Sequence, residues 1–176
     1  ASKVGSPEGF TVESSFYTLS WLNYFCRYAF VSNFINFDSQ IIVEVGPGCG
    51  KQAEMLKRAH PNLTLLLFDL PTQIYITDRY LSKVLGPTGD VANYRECRNV
   101  NNFKDIKLGK INIFPHWKFS IVDDCEFDLL WNAASFQEMA APTSCGYLSG
   151  CHNAKSLYLM HNIKYRGTKF FPGYRG

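Results

Sequence analysis

From residue 41 to residue 162 the chain alternates between two hydropathy patterns. Continuous apolar runs, IIVEV at 41–45, LTLLLFD at 63–69, INIFPHW at 111–117, FDLLWNA at 127–133 and KSLYLMHN at 155–162, are short enough for strands. The segments 51–60 and 71–86 are instead apolar at helical spacing, and Pro61 ends the first of them. Strands that are apolar on every position need cover on both faces, and the helices between them supply it. The pattern therefore predicts an α/β fold, a Rossmann-like, doubly wound, mostly parallel sheet. A polar stretch at 87–110 reads as a connection, and AAPTSCGYLSG at 140–150 reads as a poor helix, broken by Pro142, Gly146 and Gly150.

Ahead of this core, residues 1–38 form a separate, aromatic-rich unit. Glu13, Ser20, Asn23 and Arg27 share one helical face, while Leu19, Leu22, Phe25, Cys26 and Phe30 fill others. This predicts an amphipathic N-terminal helix that packs on the core or on a partner, with a second copy of the chain as one such partner. The polar residues among these aromatics argue against a membrane span. The core is expected at 39–163, followed by a basic and aromatic tail at 164–176.

Composition narrows the function classes. A net charge of +3 and 19% charged residues give no electrostatic footprint for nucleic acid. Six cysteines without a C-x-x-C pair read as reduced thiols, which places the chain in the cytoplasm. Cys145, Cys151 and His152 match no common zinc spacing. Asp123 and Asp124 precede the fourth strand, at the end remote from a site, so no metal is expected.

The candidate chemistry starts at the turn after the first strand. Gly46, Gly48 and Gly50 let the backbone bend and approach a ligand without a Cβ in the way. A dinucleotide turn wants G-x-G-x-x-G, and the position of its third glycine is Lys51 here. Glu44 stands on the strand two residues before Gly46, where a dinucleotide fold needs no charge but the ammonium of S-adenosylmethionine (SAM) does. Asp69 ends the second strand, where an acid can accept both ribose hydroxyls of either ligand, or cap the helix that follows.

Glu44-x-Gly46-x-Gly48-x-Gly50 with a downstream acid resembles the first motif of the class I SAM-dependent methyltransferases. VGSPEG near the start, FDLP and RYL around the second helix, FDLLWNAASFQEM around the fourth strand and LYLMHN at the fifth narrow the likeness. Together they resemble a family of sugar O-methyltransferases associated with bacterial surface-glycan gene sets. The resemblance implies SAM as cofactor and a small-molecule hydroxyl, on a sugar or glycan precursor, as methyl acceptor. Asn132 is followed by Ala133 and Ala134 rather than by a Pro-Pro pair, which disfavours an amino-methyltransferase.

Methyl transfer to a hydroxyl needs alignment and a proton acceptor. Glu138 and His161, near the ends of the fourth and fifth strands, are the candidate bases, with His116 third, and Asn132 is a candidate for orienting the cofactor. Ser135-x-x-Glu138 also spells a capping box, a structural alternative for the same acid. Too little chain follows Asn162 for the antiparallel strand pair that completes such a sheet. A second reading follows from that, a SAM-binding module that is truncated or without turnover, and a third, an NAD-dependent oxidoreductase, is disfavoured by Lys51 and Glu44.

Overall fold

The structure is a computed structural model that describes residues 1–123 and 125–161. An antiparallel hairpin, β1 (Phe10–Val12) and β2 (Ser15–Tyr17), leads into α1 (Leu19–Val31). The core follows as β3 (Ile41–Val45), α2 (Lys51–Ala59), β4 (Thr64–Asp69) and α3 (Pro71–Val84). Next come β5 (Val91–Ala92), α4 (Tyr94–Cys97), β6 (Ile111–Pro115), β7 (Phe127–Ala133), α5 (Ala141–Gly150) and β8 (Ala154–Met160).

The main sheet runs β5-β6-β4-β3-β7-β8, with every described pairing parallel. It is the doubly wound α/β sheet that the apolar runs predict. Val43, Val45, Leu66, Phe68, Phe114 and Leu130 fill the core on one face. Ile42, Leu65, Leu67, Leu129 and Trp131 pack on the other, against Leu56 of α2 and Leu81 of α3. From β3 the chain builds outward through β4 and β6, then returns to place β7 on the opposite side of β3. Neighbouring loops therefore diverge at the carboxyl ends of β3 and β7, leaving a crevice there.

Several elements differ from the sequence expectation. Helix α1 begins at Leu19, where the Thr18 hydroxyl accepts from Trp21 N at 3.0 Å. Glu13 lies outside it, in the β1–β2 turn with φ +47°, so the polar helical face loses that member. The 140–150 segment does form a helix. Pro142 falls in its first turn, where a missing N–H is harmless. Tyr147 anchors the helix, edge-on to Phe119 with ring centroids 4.7 Å apart and stacked on Phe136 at 5.9 Å. That packing outweighs the two glycines. The polar connection holds the edge strand β5 and the short α4, whose start is closed by a capping box between Asn93 and Glu96.

Among the described residues no helix is long and apolar enough to cross a membrane, and the cysteines form no disulfide. The outer face of α1 is open: Leu19, Phe25 and Phe30 are exposed. The 164–176 tail and Asp124 lie outside the described residues.

Candidate functional site

The glycine turn is held by its neighbours. Gly46 has φ +77°, and a Cβ there would meet the Ser135 side chain at 2.3 Å, so the β3 turn lies directly on the turn after β7. At Gly50 (φ +83°) a Cβ would meet Leu81 at 2.9 Å, which is how α3 closes against the start of α2. Gly48 differs, because a Cβ there would find open space. Its carbonyl accepts from the Thr77 hydroxyl, which fixes the loop from below.

Gly48 opens on a cavity of about 630 Å³ at the carboxyl ends of the strands. Asp69 and Leu70 follow from β4, His116 from β6, Ser135, Glu138 and Met139 from the turn after β7, and Tyr147 from α5. Asp69 accepts from Leu70 N at 2.8 Å. Burial pushes its carboxyl above the ordinary value, opposed by bonds from the Leu70 and Gly48 amides and by the nearby His116. Nδ1 of His116 is buried without a hydrogen-bond partner on the cavity wall.

A second polar group lies beneath α1. Alternation along β3 turns Glu44 to the opposite sheet face from Val43 and Val45, in register with Leu67 and Trp131. Glu44 is 3% exposed, and its Oε2 has no hydrogen-bond partner. Burial pushes its carboxyl up to about 8, against the pull of Arg27 and with a smaller push from Asp69. The Arg27 guanidinium lies over the Tyr24 ring at 5.4 Å, and Tyr24 O accepts from Gln52 Nε2 at 3.4 Å. Gln52 Oε1 and Trp131 Nε1 are also buried and unpartnered. Buried polar atoms are normally satisfied, so three orphans beside one turn mark a place suited to a polar ligand.

Comparison with known proteins adds the fold. No family model matches the chain, and no curated protein does. Solved structures match over most of it. One is described as a sarcosine dimethylglycine methyltransferase from Galdieria sulphuraria, 14% identical over 86% of this chain and 52% of that one, with a TM-score of 0.55. Another is a SAM-dependent methyltransferase from Aquifex aeolicus, 16% identical over 78% of this chain and 63% of that one, TM-score 0.51. A third is the magnesium protoporphyrin IX methyltransferase ChlM from Synechocystis PCC 6803 with bound SAH, 9% identical over 74% of this chain and 49% of that one, TM-score 0.50. The chain has the fold of the SAM-dependent methyltransferases. It spans between 49% and 63% of the length of these three structures.

On this methyltransferase fold the residues singled out from sequence separate into groups. Gly46, Gly48, Asp69, Glu138 and His116 share the cavity. Gly50 supports the turn from behind, and Glu44 lies across the sheet from the cavity, under α1. Asn132 is fully buried and bonded within the fold: Nδ2 donates to Val45 O at 2.9 Å and to Ser135 Oγ at 2.5 Å, while Oδ1 accepts from Phe136 N at 3.2 Å. It ties the two turns together rather than facing the cavity.

His161 follows β8 as an exposed residue and is not a wall of the cavity. The capping box at Ser135 is not formed, because the Ser135 hydroxyl donates to Val45 O at 2.9 Å instead. Nor does Asp69 cap α3, whose N-cap is Leu70. Ser135, Tyr147, Arg27 and Tyr24 were not assigned to the site from sequence. A serine three residues beyond a strand-end asparagine is a signal for Ser135. Nothing in the spacing foretells the others, which depend on how α1 and α5 dock.

Proposed function

We propose that this chain binds SAM and transfers its methyl group to a hydroxyl of a small molecule, a sugar or glycan precursor. The observation that carries the reading is the glycine turn at the switch point. Gly48 opens on a cavity walled by Asp69 at the end of β4, and β3, which leads into the turn, carries the buried Glu44 carboxyl with Oε2 unpartnered. These residues suit the cofactor. Asp69 accepts ribose hydroxyls, the loop backbone supports the methionine part, and Glu44 balances the ammonium beneath α1. His116 stands beside Asp69 on the same wall. When bound, SAM supplies an electrophilic methyl on a sulfonium.

Glu138 stands exposed on the same wall and takes the proton of the acceptor hydroxyl as the new bond forms. Tyr147 and Met139 give the acceptor apolar surface and exclude water. The test is calorimetric titration with SAM, followed by transfer of a labelled methyl group to sugar acceptors. Glu138→Gln is expected to lower turnover by two to four orders of magnitude, the usual worth of a positioned base, roughly 10²–10⁴, with SAM affinity retained. A second reading, a SAM-binding module without turnover, draws on the exposed place of His161 away from the cavity. SAM binding without transfer to any hydroxyl acceptor would favour it.

A further inference from the structure

Beside the main cavity lies a second, smaller groove of about 260 Å³, between α3, α4 and the segment after β6. It is lined by the aromatic residues Tyr75, Tyr94 and Trp117, by Pro71, Ile74 and Pro115, and by Asp78 as the one charged member. Trp117 is 57% exposed and Tyr75 61%, far more than either ring needs for packing. Nothing in the proposed methyl transfer uses these residues.

The chemistry of the walls selects the ligand. Aromatic faces carry negative quadrupole, and the one charged wall is a carboxylate, so every electrostatic contribution from the walls favours a cation. A small, strongly hydrated ion gains little from apolar rings and prolines. An organic cation with an alkyl shell gains from both rings and charge. The Tyr75 face already takes a cation here: the Arg79 guanidinium sits 5.5 Å from the ring centroid, although Arg79 is not itself a wall of the groove.

A carbohydrate ring fits less well, because it needs several free hydrogen-bonding partners. Asp78 Oδ1 already accepts from Ser82 Oγ at 3.1 Å, and the Tyr75 hydroxyl accepts from Arg79 Nη1 at 3.3 Å. We propose that the groove formed by Tyr75, Tyr94, Trp117 and Asp78 is a binding site for an alkylated ammonium group. Trp117 follows His116 directly, so the groove and the main cavity are neighbours that share no lining residue.

The test is titration of the whole chain with choline, followed by calorimetry and by tryptophan fluorescence. The neutral isostere 3,3-dimethylbutan-1-ol and a methyl glucoside serve as comparisons. Choline is expected to bind at about millimolar concentration, as suits an open cation–π site, and the isostere about tenfold more weakly. Asp78→Asn and Trp117→Leu are each expected to weaken choline at least about fivefold. Both positions reach solvent, so neither change threatens the fold. Saturating S-adenosylhomocysteine, which the proposed function places in the main cavity, should leave choline binding in place. Equal binding of the isostere, tighter binding of the glucoside, loss of choline on adding S-adenosylhomocysteine, or no binding of choline at all would each overturn the proposal. The choline, isostere and glucoside titrations are made without cofactor, so their outcomes do not bear on whether SAM binds.

Discussion

A buried carboxyl group with an unused oxygen is costly, and Glu44 carries that cost on the strand that leads into the turn. Its carboxyl, at about 8 in the folded chain against 4.5 when free, holds a proton that the unfolded chain releases. Between those values stability therefore falls as pH rises, by about 1.4 kcal/mol per pH unit. Glu44→Gln removes the effect, so urea unfolding of the variant is expected to gain on the native chain as pH rises from 6 toward 8. Parallel profiles would contradict the buried, proton-holding state.

An ammonium placed against Glu44 draws off that proton. SAM binding at pH 7, measured calorimetrically in buffers of different ionisation enthalpy, should release more protons from the native chain than from Glu44→Gln. The glycines give a matching contrast. Gly46→Ala drives a Cβ into Ser135 and is expected to cost about 2–3 kcal/mol of stability, the range for overpacking with backbone strain. Gly48→Ala meets no atom and carries only the strain of φ +59°, roughly 1–2 kcal/mol, so it should cost less stability than Gly46→Ala and act mainly on SAM affinity. Equal losses of stability at the two positions would contradict that division. At this scale Glu44, Gly46, Gly48 and Asp69 were legible, because a strand-turn spacing fixes them locally. Arg27 and Tyr24 were not, since their place opposite Glu44 depends on how α1 lies across the sheet.

Elements differ in how far sequence alone could place them. The core strands were legible because burial on both faces leaves an unbroken apolar run, and β3, β4 and β7 fall where those runs stand. Helix α5 was not, because its own residues argue against a helix and only the contacts of Tyr147 with Phe119 and Phe136 decide for one. Tyr147→Ala should accordingly loosen α5 and the cavity wall together, at about 3–5 kcal/mol if the ring behaves as a core aromatic, and less to the extent that it reaches solvent.

The turn after β7 rests on Asn132. Asn132→Ala leaves Phe136 N without its acceptor and Val45 O with one donor fewer. A loss of about 1–3 kcal/mol is expected from the unsatisfied buried groups. Thermal unfolding measures it, and an unchanged midpoint would show that the knot between the two turns carries no stability.

For the whole molecule, the parallel order around β3 decides where chemistry can happen. The crevice between the β3 and β7 turns gathers residues from four strand ends, widely separated in sequence, into one cavity. Strand-end positions could be picked from the sequence, which is why Asp69, His116 and Glu138 arrive together. His161 fits the same strand-end rule but lies exposed outside the cavity, after β8 at the edge of the described sheet. The proposal that this crevice holds SAM, and not a dinucleotide, rests on Glu44 and on Lys51, the first residue of α2, standing in place of a third glycine. Parallel calorimetric titrations of the chain with SAM and with NAD test that directly. Saturable binding of SAM, weakened by Glu44→Ala, with no heat from NAD is the expected result; binding of NAD without binding of SAM would contradict it.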